Sequence, residues 1–350
     1  MKKIGILTFH YPENMNYGAI LQAYALMKIL LNMKQDVKII NYKPDVSKKL
    51  EKFNIEGRAF KNFSDKFLKL TKLYKKSDLK NLNKEFDTFI VGSDQVWRAG
   101  RLRFYPEYFL NFVEKDKKKI SYAASFGLDH WKGHFFATYI IKKLIKRFNY
   151  ISVREKSGID ICKNIFNVKA EWVLDPTLML EKEEYQLILN EYQEKKHLEK
   201  NYIAYVILDD DKETQKYGKN IANELTLDLK FIDGEKIFKD NKQWIVHNEI
   251  SQWLTYLKDA KLVITDSFHC TVFSLIFHKN FIVIANKRRG MARLESLLSM
   301  VGLEERLIKD RSNDIEKIIN KKINYKEVDK KIKEERARSF LFLKKALGVN

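Results

Sequence analysis

The chain has 350 residues, 45% of them hydrophobic, and carries 66 Lys and Arg against 46 Asp and Glu, a formal net charge of +20. That length outgrows a single hydrophobic core and predicts two domains, and no run approaches the ~20 uninterrupted apolar residues of a membrane-spanning helix. The surplus of cations points to anionic partners or substrates, whether nucleic acid, phospholipid or phosphorylated metabolite.

The opening KKIGILTF reads as a first strand. MKKIGILTFHYPEN meets polar residues before a secretory apolar region is complete, so the expected location is the cytoplasm. HYPENMNYGAILQAYALMKIL then makes a polar turn that enters a helical pattern. Asn14, Asn16, Tyr17 and Gly18 occupy the turn and Gln22 follows one helical turn later; side-chain amides both donate and accept, which suits sugar hydroxyls. Asn16 serves equally well as a helix cap. From Lys43 to Lys84, thirteen Lys or Arg against five Asp or Glu supply eight of the net charges. Phe60, Phe63, Phe67, Leu70 and Tyr74 recur there at helical spacing between lysines. Two readings of 60–76 stay open: a basic amphipathic helix in peripheral contact with an anionic membrane, or a solvated helix whose aromatic side packs on its own domain.

After VKIINY, the run FIVGSDQVWR ends a strand in Ser93, Asp94, Gln95 and Trp97. An indole can cover the apolar face of a sugar while Asp94 takes a hydroxyl proton; a helix cap is the plainer use of Asp94. KISYAAS ends at Ser125, and YISVRE ends at Arg154, whose planar fork fits a phosphate or carboxylate, or simply pairs with Glu155. AEWVLD follows, and the domain boundary is expected between Pro176 and Lys200, within a charged helix EKEEYQLILNEYQEKKHLEK. Strands then resume as YIAYVIL, LKFIDG, LVITDS and FIVIAN, with helices over 212–226, 250–259 and 268–277. Continuous apolar strands alternating with helices imply parallel sheets covered on both faces. Ligands of such sheets gather beyond the carboxyl ends of the strands.

TDSFHCTVFSLIF places Ser267, Phe268 and His269 at the start of a helix, where an anion would meet free N–H groups and an imidazole together. NKRRGMARLESLL puts Arg288, Arg289, Gly290 and Arg293 directly after the last strong strand, a strong anion site if the three guanidiniums converge. The terminal stretch carries Val328, Ile332, Phe340, Leu343 and Leu347 on one helical stripe ending at Gly348, suited to strapping the domains together. Cys162 and Cys270 are far apart and have no metal-ligand company, so both are expected as buried thiols. No Asp-rich run suggests Mg²⁺, and no metal is expected.

In this order, NYGAILQAYAL, VGSDQVW, YAASFG, VREKSG, VLDPTLM, TDSFHCTVFSLIF and RRGMARLESLL resemble the polysaccharide pyruvyl transferase family from about residue 4 to residue 305. The resemblance implies an α/β fold of two Rossmann-like domains facing a cleft, similar to the GT-B glycosyltransferases. Residues 1–180 would form the acceptor side, 181–325 the donor side and 326–350 the strap. It also implies phosphoenolpyruvate as donor substrate, no cofactor, and a sugar acceptor of surface polysaccharide biosynthesis, either a lipid-linked saccharide or a soluble sugar or polymer, with nucleic acid not expected as a partner. Arg154 matches a donor-binding Arg of the family and His269 its donor-site His, the imidazolium acid of the reaction, with Asp94 as base. Ser267, Phe268, Arg288, Arg289 and Arg293 complete the implied donor side; Asn14, Asn16, Tyr17, Gln22, Ser93, Asp94, Gln95, Trp97 and Ser125 form the acceptor side. The chain departs from some relatives at Ser267, where they carry a donor-binding Arg, so one of Arg288, Arg289 and Arg293 is expected to take its place. A nucleotide-sugar glycosyltransferase of GT-B architecture is the rival reading, and a basic nucleic-acid-binding protein the remote one.

Overall fold

In the computed structural model, which describes residues 2–44, 57–100, 104–192, 201–209, 211–239, 242–286, 288–310 and 315–349, the apolar runs pair in parallel. The first sheet has the order β2-β1-β3-β4-β5-β6, from β1 (Lys3–Leu7), β2 (Asp36–Ile39), β3 (Thr88–Val91), β4 (Lys118–Ala124), β5 (Tyr150–Val153) and β6 (Glu171–Trp172). The second has the order β13-β12-β11-β7-β8, from β7 (Tyr202–Val206), β8 (Asp228–Phe231), β11 (Leu262–Thr265), β12 (Asn280–Ile284) and β13 (Leu307–Ile308). Strands such as TFIV and YIAYV are buried throughout, as strands covered by helices on both faces must be. In the chain between β8 and β11, an antiparallel hairpin joins β9 (Gly234–Lys239) to β10 (Lys242–His247).

Helices α1 (Tyr17–Asn32), α2 (Arg58–Phe67), α3 (Phe135–Ile145), α4 (Ser157–Ile161) and α5 (Pro176–Met179) accompany the first sheet. Helices α6 (Gln186–Leu189), α7 (Lys212–Glu224), α8 (Ile250–Asp259), α9 (Phe268–Ile276), α10 (Ala292–Val301) and α11 (Ile315–Asn320) accompany the second, and α12 (Tyr325–Leu347) closes the chain. Strand order reverses beside β1 and beside β7, which sets the binding crevice of each sheet at the carboxyl ends of those strands. The two crevices face each other: a Cβ added to Gly290, after β12, would fall 2.2 Å from the Gly127 carbonyl oxygen, after β4. This is the GT-B arrangement.

Helix α12 crosses from one domain to the other. Near its start Lys331 donates to the Val301 carbonyl, 3.2 Å, at the end of α10. Farther along, Ser339 Oγ accepts from Leu174 N, 3.0 Å, Phe342 packs on Tyr122 and Tyr150, and Lys118 reaches the Ala346 carbonyl at 2.9 Å. Gly348, at φ 67°, terminates it in the left-handed conformation that favours glycine.

Two expected helices end early. The pattern at 60–76 is helical only to Phe67, after which Leu70 and Tyr74 bridge Ile39 and Tyr42. Phe60, Phe63 and Tyr74 are buried, Phe60 against Tyr17 and Phe63 against Tyr24, so the aromatic stripe packs inward. The charged helix expected over 181–200 is helical only as short turns over Lys182–Tyr185 and Gln186–Leu189, and its 193–200 part lies outside the described residues. Among the described residues no helix is long and apolar enough to cross a membrane.

Candidate active site

The turns after the strands of both sheets converge on one buried carboxylate. Asp175 precedes Pro176 and caps α5: its Oδ1 accepts from Thr177 N (3.0 Å) and Thr177 Oγ1 (2.6 Å). Its Oδ2 accepts from Ser93 Oγ (2.7 Å) at the end of β3 and from Arg154 Nη1 (2.9 Å) at the end of β5. The same oxygen lies 3.3 Å from Nε2 of His269, in the first turn of α9 on the opposite domain. Burial opposes ionisation of Asp175, but His269 and then Arg154 outweigh it and hold its pKa well below the usual carboxylate range. A buried anion of this kind is tolerable only because every lone pair has a donor or a cation beside it.

Arg154 keeps its charge for the same reason. Burial works against the guanidinium, and Asp175, Asp94 and Glu155 together raise its pKa above the ordinary value. Its Cζ stands 4.6 Å from the centre of the Phe268 ring and its Nη2 3.6 Å from Asp94 Oδ1. Among the described residues, Arg154 Nε and Nη2 have no hydrogen-bond acceptor, nor has Arg293 Nε. Three buried donor atoms without acceptors, on two side chains, are an unspent capacity for an anion.

The three arginines after β12 have different fates. Arg289 is bidentate to Asp209, at 2.8 and 2.9 Å, and Arg288 is exposed. Arg293, at the start of α10, is buried; desolvation, and then repulsion from Arg154, bring its pKa down to about 10. Arg293 therefore shares the field of Arg154.

A cavity of about 440 Å³ opens beside this centre, lined by Asn14, Asn16, Asp94, Gln95 and Arg98, with Phe9, Tyr11, Tyr105, Leu128 and Lys132 on its walls. Asp94 belongs to both, facing the cavity and pairing with Arg154. Its φ of 77° is unusual for a residue with a side chain and is held by Ser125 N and Val96 N, which both donate to its carbonyl. Asn16 is also the cap of α1, accepting from Ala19 N at 3.0 Å. The cavity stops short of His269, Arg154 and Arg293. A larger hollow of about 840 Å³ lies by the amino end of β5, between Asn149 and Lys345, and receives none of the strand-end groups.

Five residues expected on the acceptor side are committed elsewhere. Tyr17 donates to the Asp233 and Asn248 carbonyls at 2.7 and 2.8 Å and stacks on Trp253, which ties α1 to the second domain. Gln22 is spent on Thr8, Phe9 and Ala19. Trp97 is buried, stacked on Phe109, with its N–H on the Tyr108 carbonyl. Ser93 serves Asp175, and Ser125 donates to Glu155, whose Oε1 also holds Phe126 N and Gly127 N. None of the five lines the cavity. On the donor side, Ser267 caps α9 by accepting from Cys270 N. Cys162 and Cys270 are both buried and free.

Two residues of the site, Asp175 and Arg98, escaped the sequence reading, and Gly18 was read there only as part of the turn before α1. Asp175 stood in the quoted VLDPTLM, and its one signal was an acid directly before Pro at a strand end. Arg98 reaches Gln95 Oε1 (2.6 Å) and the Arg288 carbonyl (3.5 Å), linking the two domains across the cavity. Gly18 leaves room for the imidazole: a Cβ there would lie 2.0 Å from His269 Nδ1.

A sequence model of the polysaccharide pyruvyl transferase family matches residues 16–288. No curated protein is significantly similar in sequence. The fold is similar to that of S. aureus MnaA bound to UDP (11% identity, 100% of this chain and 98% of that one, TM-score 0.56). UDP-GlcNAc 2-epimerases are alike to the same degree, that of Methanocaldococcus jannaschii at 14% identity (97% and 99% covered, TM-score 0.53) and that of Neisseria meningitidis bound to UDP-GlcNAc at 11% (97% and 100%, TM-score 0.52). At such identities the likeness establishes the fold alone.

Proposed function

Because the chain belongs to the polysaccharide pyruvyl transferase family, and is therefore a transferase, we propose that it moves the pyruvyl group of phosphoenolpyruvate onto two hydroxyls of a sugar and releases phosphate. The observation that carries this reading is the pairing of Arg154 and His269 on a single Asp175 oxygen, with buried N–H groups left over for an anion.

Arg154 and Arg293 hold the donor's carboxylate and phosphate, and Arg293 supplies the cation that Ser267 does not. His269 delivers a proton to C3 of the enol, turning it into a methyl group and making C2 electrophilic; such acid catalysis is worth roughly 10² to 10⁴ in rate. Asp94, on the boundary of cavity and cation cluster, takes the proton of the first attacking hydroxyl. Phosphate then leaves C2 under the same guanidiniums, and the second hydroxyl closes the ketal. Of the two hydroxyl protons, one balances the new methyl group and the other departs on phosphate. Asn14, Asn16, Gln95 and Arg98 hold the acceptor sugar in the cavity. The donor reaches His269 when the loop carrying Gly290 parts from Gly127.

Phosphate release from phosphoenolpyruvate in the presence of acceptor tests the assignment. His269→Gln loses turnover, and Arg154→Ala raises the KM for donor more than that for acceptor; wild-type turnover in H269Q removes the imidazole from the mechanism. The mass added to the acceptor separates this reaction from sugar transfer, since a pyruvyl ketal is far lighter than a hexose. A lipid-linked saccharide is the acceptor class that fits a polar cavity on a basic protein.

A further inference from the structure

Beyond the cavity rim, the chain turns through 129–134 into α3, and this helix shows an outward face of unusual composition. Phe135, Phe136 and Tyr139 are 76%, 60% and 58% exposed, although large apolar side chains normally seek the interior. Lys142, Lys143 and Lys146 are exposed as well. At 3.6 residues per turn all six fall within about 120° of arc, while Ala137, Ile141 and Ile145 are buried on the other side. From His130 to Asn149 there are five Lys or Arg and no Asp or Glu. Lys143 stands 4.2 Å over the Tyr139 ring, so aromatic and cationic groups form one continuous surface.

We infer that this face of α3 docks the protein on an anionic lipid bilayer. The occupant follows from the chemistry: aromatic rings that settle at the level of lipid headgroups, lysines for negative lipid, and no acid on α3 itself, Asp129 of the adjoining turn being paired with His130. Position supports it. Trp131 donates to Thr138 Oγ1 at 2.8 Å and packs edge-on to Phe166, which fixes the 129–134 turn to α3, and Leu128 and Lys132 at that turn line the cavity. A docked α3 would thus bring the cavity mouth close to the membrane plane. This placement gives meaning to a lipid-linked acceptor and in that respect rests on the function proposed above. The basic segment at 60–76 cannot supply the same contact with its aromatic side, because Phe60 and Phe63 are buried.

The test is cosedimentation of the full chain with vesicles of phosphatidylcholine alone or mixed with phosphatidylglycerol. Binding is expected only to the mixed vesicles and is weakened by salt. Phe135→Ser with Phe136→Ser lowers it at least tenfold, and Lys142→Glu with Lys143→Glu and Lys146→Glu lowers it by more than a hundredfold, at about fivefold for each lysine lost. All five side chains point outward, so thermal unfolding stays at the wild-type temperature and excludes misfolding as the cause. Absence of wild-type binding, equal binding to neutral vesicles, or full binding by either variant overturns the inference. So does a dimer that either variant dissociates, which would make a second copy the partner. Phosphate release with a water-soluble acceptor, measured without vesicles, reports on the chemistry alone, so failure of the docking face and failure of the proposed reaction are read separately.

Discussion

Gly18→Ala sets two opposite effects against each other. Within α1 the substitution gains about 1 kcal/mol of helix propensity. The new Cβ, however, would stand 2.0, 2.3 and 2.6 Å from His269 Nδ1, Cγ and Cβ. Ordinary contact is near ~3.5 Å, so the ring must retreat by about 1.5 Å or the first turn of α1 must lift. Overpacking of this kind costs about 1–3 kcal/mol, which leaves a net loss of about 0–2 kcal/mol, well short of unfolding. Catalysis has no such offset. A retreat of that size breaks the 3.3 Å approach of Nε2 to Asp175, and a misplacement of ~1 Å can cost on the order of 10² in rate. The expected result is a folded protein, with Tm within a few degrees of wild type, that releases phosphate about a hundredfold more slowly. Turnover within twofold of wild type would refute both the close approach and the role of the imidazole.

Asp175→Asn removes the anion that Arg154 and His269 share and leaves the buried Arg154 to Asp94, at 3.6 Å, and Glu155, a loss of about 3–5 kcal/mol at neutral pH. Since the folded-state pKa of Asp175 is depressed, its contribution is present above the unfolded value of ~3.9 and fades as pH falls through the folded one; urea unfolding at pH 7 and pH 3 should show the gap to wild type shrinking, and a constant gap contradicts this. Trp97→Ala should cost about 3–5 kcal/mol in unfolding, whereas Asn14→Ala should leave stability alone and raise the acceptor KM; the reverse pattern would exchange core and site. Tyr17→Phe keeps the ring on Trp253 but takes the hydroxyl from the Asn248 carbonyl, while the Asp233 carbonyl still accepts from Asn248 N, and denaturant titration should show a loss of about 1–3 kcal/mol.

Apolar runs long enough to be buried on both faces announced the strands of the two sheets in chain order, all but the two-residue β13, because burial on two faces leaves no polar alternation to confuse with surface; their order within each sheet emerged only from the structure. The hairpin at 234–247 escaped, its GEKIFK and KQWIVH being interrupted by lysines and holding no apolar run longer than Trp244-Ile245-Val246. Around the site, local chemistry was readable and long-range partnership was not. An Asn before a helix announces a cap, and Asn16 is one. Asp175 announces only a cap too, yet its second oxygen collects Ser93, Arg154 and His269, from positions 82, 21 and 94 residues away in sequence. Trp97 fails as a sugar platform for the same reason: Phe109 and the Tyr108 carbonyl, which claim both its face and its N–H, lie beyond the next turn.

The closing helix gives the molecule a second covalent passage between its halves, besides the chain around residue 180. A body joined to another at two separated points behaves like a door on two pins: it can swing about the line through them and can neither twist nor slide. Any parting of the loops at Gly127 and Gly290 is then confined to one rotation, and every return brings the arginines of one lobe to the same place over the carboxylates of the other. Cutting the chain before Tyr325 would free the remaining directions and blur that registration without touching a single reacting group.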